Sequence, residues 1–349
     1  MSVSSPATRP GSQMRAEMAE QPQVLAALAA RWPMLTAQVA NLNRSTAPLG
    51  VAFLARGSSD HAALLGRYAV ELQTGLPTCL IAPSLATAYG NDPTGFDSWL
   101  LVALSQSGRT PEIVDLARRH AAAGARVVAV TNDPDSDLAD ASHLTIALNA
   151  GAELAVPATK TVTAQMLAVL AIASGLGLGG LTTSQVEVLP EAVAGVLGDT
   201  EAPARAAQVL AAHDRLAVVG RGACYPAALE GALKLQETTG LMAHGFSTAD
   251  FRHGPIAVCG PDSPGLLLAG SGPADADTLD LRAALAQRGA PVLLAGTAPE
   301  ADLSWPATGN LLECLLATVR GQQLALATSE ALGVDPDRPA GLAKVTLTR

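Results

Sequence analysis

Two stretches of this chain can be laid over one another. Setting VAFLARGSSDHAALLGRYAVEL (51–72) against LAVVGRGACYPAALEGALKLQE (216–237) puts Arg56 opposite Arg221, 165 positions further on. Gly57/Gly222, Ala62/Ala227, Ala63/Ala228, Leu64/Leu229 and Gly66/Gly231 then match without a gap. The same offset pairs GARVVAV from 124 with GAPVLLA from 289, and LLVALSQSG from 100 with GLLLAGSGP from 265. One offset that survives through three segments marks two copies of one domain. The length of 349 residues agrees, since single cores seldom grow that far.

Within a copy, short runs such as VAFLA, SWLLVAL and ARVVAVT alternate with helical stretches such as TPEIVDLARRHAAAG. Runs apolar throughout, rather than at every second residue, suit strands covered on both faces of a parallel sheet. The expected fold class is therefore α/β: two doubly wound parallel-sheet domains in tandem, each a three-layer α/β/α unit, plus a C-terminal tail. We place a disordered tail at 1–13, a lead-in helix at 14–34, the two domains at 35–195 and 196–334, and the tail at 335–349. MLAVLAIASGLGLGGL, Met166 to Leu181, is short for a membrane span and reads as a buried helix running into a glycine-rich loop.

Ligands of such sheets sit outside the carboxyl ends of the strands, where the next helix begins. LSQSGRT (104–110) falls there: LLVAL is the strand, Ser105 to Gly108 the turn, and Thr110-Pro111 the helix start, where proline's missing N–H costs nothing. ARGSSD (55–60) is the equivalent turn after an earlier strand. Two hydroxyl-rich turns with two helix dipoles can cradle a phosphate; the other reading is that Ser and Thr simply cap helices. The second copy has Ala223-Cys224 and AGSGPAD at these places, so it keeps the scaffold without most of the hydroxyls, which favours the cradle.

Charge narrows the partners. A net charge of −9 and a pI near 5.1 argue against nucleic acid or an anionic membrane as partner, since both need a basic face. Cys79, Cys224, Cys259 and Cys314 are widely spaced, with no CxxC pair, and read as reduced, buried side chains of a cytoplasmic protein. The start, MSVSSPATRPGSQ, has no apolar stretch of the signal-peptide kind.

The motifs together resemble the sugar isomerase (SIS) family, specifically the double-SIS isomerase half of glutamine-fructose-6-phosphate transaminase and the stand-alone glucosamine-6-phosphate deaminases. MRAEMAEQPQVL (14–25) resembles the lead-in helix, LSQSGRT the phosphate loop, ELAVPATKTVTAQ (153–165) a second ligand loop, and ALEGALKLQE (228–237) the helix with the acid-base residue. FRHGP (251–255) and DPDRPAGLAK (335–344) complete the series. The resemblance implies a flavodoxin-like fold and a phosphosugar ligand, with no metal or organic cofactor. It places Ser58, Ser59, Ser105, Gln106, Ser107 and Thr110 on the phosphate, and Val156 and Thr159 along the sugar. It makes Glu237 the carrier of a proton between C1 and C2 with Lys234 beside it, His253 the ring-opening group, and Lys344 the partner of the open-chain carbonyl. A homodimer, with His253 reaching the neighbouring subunit's site, is likewise implied. Arg109 replaces an acidic residue of the usual loop, and Ala158 stands where the transaminase has serine.

The residue types fit that chemistry. Lys234 and Glu237 lie three apart on a helix and share a face. A carboxylate there can move the C2 proton if burial raises its pKa. Glu230, four residues before Lys234, offers the lysine a plain helix ion pair instead. His253 is the side-chain type that exchanges protons near neutrality, or is simply exposed. GLAKVTL sets Lys344 between apolar residues, suited either to folding over a site and presenting an amine or to a docked tail with a solvated lysine. Residue 2 is Ser, and only a short tail precedes the first copy, so glutamine-dependent synthesis is not expected. The expected reaction is conversion of glucosamine 6-phosphate to fructose 6-phosphate and ammonia. The rivals are another amino-sugar or plain phosphosugar enzyme, galactosamine 6-phosphate included, and a non-catalytic sugar-phosphate sensor.

Overall fold

A computed structural model of the chain describes residues 9–177 and 179–344. Among them ten strands form two all-parallel sheets of five. The first holds β1 (Gly50–Leu54), β2 (Thr78–Leu80), β3 (Trp99–Leu104), β4 (Arg126–Thr131) and β5 (Leu144–Ala147), in the order β2-β1-β3-β4-β5. The second holds β6 (Arg215–Gly220), β7 (Met242–Ser247), β8 (Gly265–Ala269), β9 (Val292–Gly296) and β10 (Leu303–Ser304), in the order β10-β9-β8-β6-β7. Read from its other edge, the second order is the first again. The 165-residue offset carries β1 onto β6, β3 onto β8, β4 onto β9, and the Ser58–Thr74 helix onto Cys224–Thr239.

The repeat extends to details that composition does not reveal. Gly57 and Gly222 both have positive φ, 58° and 57°, a conformation that side chains disfavour. In both copies this residue swings the chain from strand into helix. Arg56 pairs with Glu112 at 2.9 Å, and at the repeated positions Arg221 pairs with Asp277.

Strand side chains alternate between faces, and here both faces are apolar. Val51, Phe53 and Val128 of the first sheet, and Val218 and Leu266 of the second, enter one cluster shared by the two copies. Ala52, Leu54 and Val127 pack under one outer layer, and Ala217, Val219 and Leu267 under the other. The helices Lys160–Leu176 and Asn310–Leu332 lie within the shared cluster and are buried nearly all round. Among the described residues no helix is long and apolar enough to cross a membrane.

Three expectations need correction. The lead-in is three helices, Ser12–Ala19, Gln21–Ala30 and Trp32–Leu42, rather than one over 14–34. Pro22 and Pro33 stand in the opening turns of the second and third, where proline is tolerated, and each ends the helix before it. Ser12 and Gln13 therefore belong to a helix, and of the expected tail residues 1–8 lie outside the described ones. Cys79 is half-buried, unlike the three buried cysteines, because it sits on the short edge strand β2.

The C-terminal segment is tied to the first helix. Asp337 accepts from the backbone N–H groups of Gln13 and Met14 at 3.0 and 2.8 Å, capping Ser12–Ala19 from a distance in sequence. Glu17 of that helix accepts from the N–H groups of Leu154 and Ala155, and the Asp337 carbonyl accepts from Val156 N–H at 3.3 Å. The tail, the first helix and the loop before Lys160 thus hold one another.

Candidate active site

The order of the first sheet reverses between β1 and β3, and a cavity of about 360 Å³ opens there, outside the carboxyl ends of the strands. One wall is made of two turns, Arg56–Ser59 after β1 and Ser105–Thr110 after β3. The lining is completed by Glu153, Val156 and Ala158 from the segment after β5, Glu237 from the second copy, and Leu342–Lys344 from the tail.

The two turns lead into the helices Ser58–Thr74 and Pro111–Ala122, neither of which has a side-chain cap from its N-cap residue, Gly57 or Thr110. Capping by Thr110 therefore does not account for its hydroxyl, which instead lies 3.3 Å from Ser105 Oγ beside the cavity. Gly108 has φ +62° and lies against Ser136, whose Oγ would be 2.0 Å from an added Cβ. That close approach folds the turn tightly enough for Ser105, Gln106, Ser107 and Thr110 to converge on one wall. Arg109 faces away: it is exposed and pairs with Asp133 at 2.8 Å.

The second copy shows what becomes of the equivalent place. There the buried carboxylate of Glu313 accepts from the N–H and hydroxyl of Ser271 at 2.6 and 2.5 Å, and from the N–H groups of Thr308 and Gly309 at 3.2 Å each. Ser271 is the repeat equivalent of Gln106. An internal anion occupies the turn that the first copy leaves open.

Glu237 reaches the cavity with 21% of its side chain exposed, whereas Lys234 is wholly buried beneath it. Lys234 donates to Ser58 Oγ at 3.1 Å and to Glu237, and its Nζ lies 3.4 Å from Glu230 Oε1. Lys234 stands between both carboxylates, so the helix ion pair with Glu230 does not exclude its contact with Glu237. Burial works against its charge, but Glu230 and Glu237 overturn that and raise its pKa. Burial raises the pKa of Glu237, and Lys234 offsets part of the effect. Glu237 is thus a partly buried carboxyl whose proton affinity lies above the usual glutamate range, as a base that must also return its proton requires.

Lys344 lines the cavity and donates to Glu153 Oε2 at 2.8 Å. Glu153 is fully buried and also accepts from the N–H groups of Thr159 and Thr161, 2.9 and 3.1 Å, and from the Thr161 hydroxyl, 2.6 Å. Burial favours its neutral form, but Lys344 and these donors prevail and hold its pKa below the ordinary value. Of the expected apolar grip on Lys344, Leu342 is 49% exposed, and the ion pair with Glu153 holds the amine. Val345 to Leu347, the rest of that grip, lie outside the described residues.

One further expectation lands elsewhere. Thr159 is buried under the cavity and serves Glu153 rather than lining the wall, because its N–H and hydroxyl are both spent on that carboxylate. His253 is exposed at the end of the short helix Thr248–Arg252 and is not on this cavity's wall. Sequence reasoning also passed over Glu153 and Arg56 as wall residues. Glu153 opens the ELAVPATKTVTAQ segment as its one carboxylate before three threonines, and Arg56 anchors the repeat alignment.

Known proteins agree with this architecture. The SIS domain model matches residues 50–175 and 209–301, one stretch in each copy. The glutamine–fructose-6-phosphate aminotransferase (isomerizing) of Mycolicibacterium paratuberculosis is 33% identical over 313 residues, 83% of this chain and 50% of that protein. The enzyme of the same name from Methanothermobacter thermautotrophicus is 30% identical over 306 residues, 84% of this chain and 51% of its own. The chain thus spans about half the length of these curated relatives. Among solved structures, a candidate phosphosugar isomerase from Silicibacter pomeroyi superposes with a TM-score of 0.83 at 32% identity, covering 93% of this chain and 99% of its own. The glucosamine-6-phosphate deaminase of Thermotoga maritima shares the fold, with a TM-score of 0.80 at 22% identity and 97% and 100% coverage. With a match in each of its two copies, and with relatives aligned across most of its length, the chain belongs to the SIS domain family.

Proposed function

We propose that the chain is a phosphosugar isomerase that releases ammonia, converting glucosamine 6-phosphate and water to fructose 6-phosphate and ammonia. The observation that carries this reading is one cavity lined by two hydroxyl-rich turns together with a raised-pKa carboxyl and a lysine amine. Its architecture is that of the relatives named above, which include an isomerizing aminotransferase and a deaminase of amino-sugar phosphates.

In this reading the phosphate rests on Ser59, Ser105, Gln106, Ser107 and Thr110, with the two helix starts adding their dipoles. The sugar then extends past Val156 and Ala158 toward Glu237. In the open-chain aldose, Glu237 takes the proton from C2 while O1 gains one, giving an enolamine. Glu237 then returns its proton to C1, leaving an iminium at C2 that water hydrolyses to the ketone with loss of ammonia. Lys234 stabilises the ionised form of Glu237. Lys344 stands where it can meet the open-chain carbonyl, held meanwhile by Glu153.

His253 supports a second element of the proposal. It is exposed and stands off its own chain's cavity. We assign it to the site of a second copy in a homodimer, where it would open the sugar ring. Mixed dimers of His253→Ala and Glu237→Gln chains should then regain activity that neither variant has alone; no gain on mixing would remove the shared site.

The direct test is to supply purified protein with glucosamine 6-phosphate, and separately galactosamine 6-phosphate, and to measure ammonia and ketose phosphate. Equimolar ammonia and fructose 6-phosphate from the first substrate is the expected result. Ketose without ammonia from an unsubstituted aldose phosphate would make the chain a plain isomerase, and binding without any product would make it a sensor.

A further inference from the structure

Two helices meet where the copies join, Ser58–Thr74 from the first and Cys224–Thr239 from the second. Along the second, Glu230, Lys234 and Glu237 fall at positions i, i+4 and i+7, a single polar stripe. Along the first, Ser58 and His61 fall at i and i+3 and face it: Lys234 Nζ donates to Ser58 Oγ at 3.1 Å, and His61 Nδ1 lies 2.6 Å from Glu230 Oε2. The 165-residue offset shows these five residues to be a set. The positions equivalent to Glu230, Lys234 and Glu237 hold Leu65, Ala69 and Leu72, and those equivalent to Ser58 and His61 hold Ala223 and Pro226. At these five positions the polar residues stand on one side of the repeat only.

Within the set Lys234 has two carboxylates to choose from. It is bonded to Glu237, but Glu230 Oε1 is 3.4 Å away, buried, and without a hydrogen-bond partner among the described residues. Glu230 is fully buried and ionised, its pKa held low against burial by Lys234 and His61. A carboxylate in that state would draw the ammonium to itself unless another donor met its charge. His61 is the chief such donor, with the Ser58 hydroxyl adding to it, so its Nδ1 carries the proton in this contact. Its ring is 18% exposed, so it joins this buried group to solvent. The other ionisable groups around the pair are Asp60 beside His61, and Cys314 from the Asn310–Leu332 helix beside Glu230.

We propose that His61 is a positioning residue: by binding Glu230 it leaves Lys234 committed to Glu237, and so sets the proton affinity of the carboxyl that faces the sugar. The catalytic part of this inference rests on the isomerase reading; the electrostatic part does not.

The test follows from geometry. Asparagine can present an N–H close to the place of Nδ1, whereas glutamine places its amide further out, near Nε2. Protein labelled with ¹³C at glutamate carboxyls reports the titration of Glu237, assigned by its disappearance in Glu237→Gln. His61→Ala and His61→Gln should raise the Glu237 midpoint, because Lys234 moves toward Glu230, and His61→Asn should restore it. In turnover of glucosamine 6-phosphate, the acid limb of kcat/KM should move to higher pH in step. At neutral pH kcat should fall on the order of tenfold, the equivalent of one charge-assisted hydrogen bond, with KM little changed. An unmoved Glu237 midpoint in both His61→Gln and His61→Ala would overturn the proposal, leaving His61 as a mere partner to a buried charge. If His61→Ala fails to fold, the contrast between asparagine and glutamine decides alone. A wild-type protein inert toward phosphosugars would sink the isomerase reading and leave the titration result standing.

Discussion

Glu153 shows how a site residue escapes a reading by pattern. It lies on no periodic face, and its importance comes from being enclosed by Thr159, Thr161 and Lys344, contacts made across the fold. The resemblance singled out Glu237 and Lys234 and helix spacing put them side by side, whereas the direction in which Thr159 points follows from a buried partner that only the fold supplies. Glu153→Gln should keep the shape of this cluster but release Lys344, lowering stability by about 1–3 kcal/mol, the range for a buried hydrogen-bonding group that loses its match. The pH dependence has a definite sign. The folded pKa of Glu153 is depressed, so its contribution is complete above about pH 4.3, the unfolded value, and is lost as pH falls through the folded value. Glu237, whose folded pKa is raised, behaves oppositely: its contribution is complete below about pH 4.3 and fades as pH climbs through its folded value. Urea unfolding across acid pH should therefore show a steeper acid loss in the wild type than in Glu153→Gln; matching slopes would contradict the ion pair.

Among the elements, the strand-turn-helix units were the most legible, since continuous apolar runs and a proline at Pro111 mark both boundaries. The lead-in was harder to read because an apolar pattern persists through Pro22 and Pro33, and the breaks depend on where each proline sits in its turn. The C-terminal segment was legible as a docked tail, but not how it docks. Asp337, with one charge on two amides of the first helix, does what a local cap would do. Asp337→Ala should cost about 1 kcal/mol in chemical denaturation, as the loss of a helix cap does, and should also lower activity through the loosened Val156 segment. Ending the chain after Gly341 spares Asp337 and removes Lys344. Turnover should vanish while Tm shifts by less than about 2 °C, the equivalent of 1 kcal/mol or so in a chain of this size. An active truncated protein would return Lys344 to an ordinary tail residue.

Over the whole molecule, duplication has given two equivalent switch points and one open site. The repeat was visible in the sequence, as was the loss of hydroxyls from the second copy; that Glu313 fills the second turn was not, because its helix begins 39 residues after Ser271. One phosphosugar should therefore bind per chain by calorimetry, and two would contradict the role given to Glu313. The shared core between the sheets places Glu237 of one copy over the cradle of the other, so the site exists only in the tandem. That arrangement is tested most directly by titrating glucosamine 6-phosphate into the wild type and Glu237→Gln while measuring fructose 6-phosphate and ammonia. Binding should persist within a few-fold, and turnover should fall by at least about a hundredfold, the usual contribution of a positioned acid-base group. A variant that turns over at the wild-type rate would show that the proton moves through another residue, and the central claim would fail.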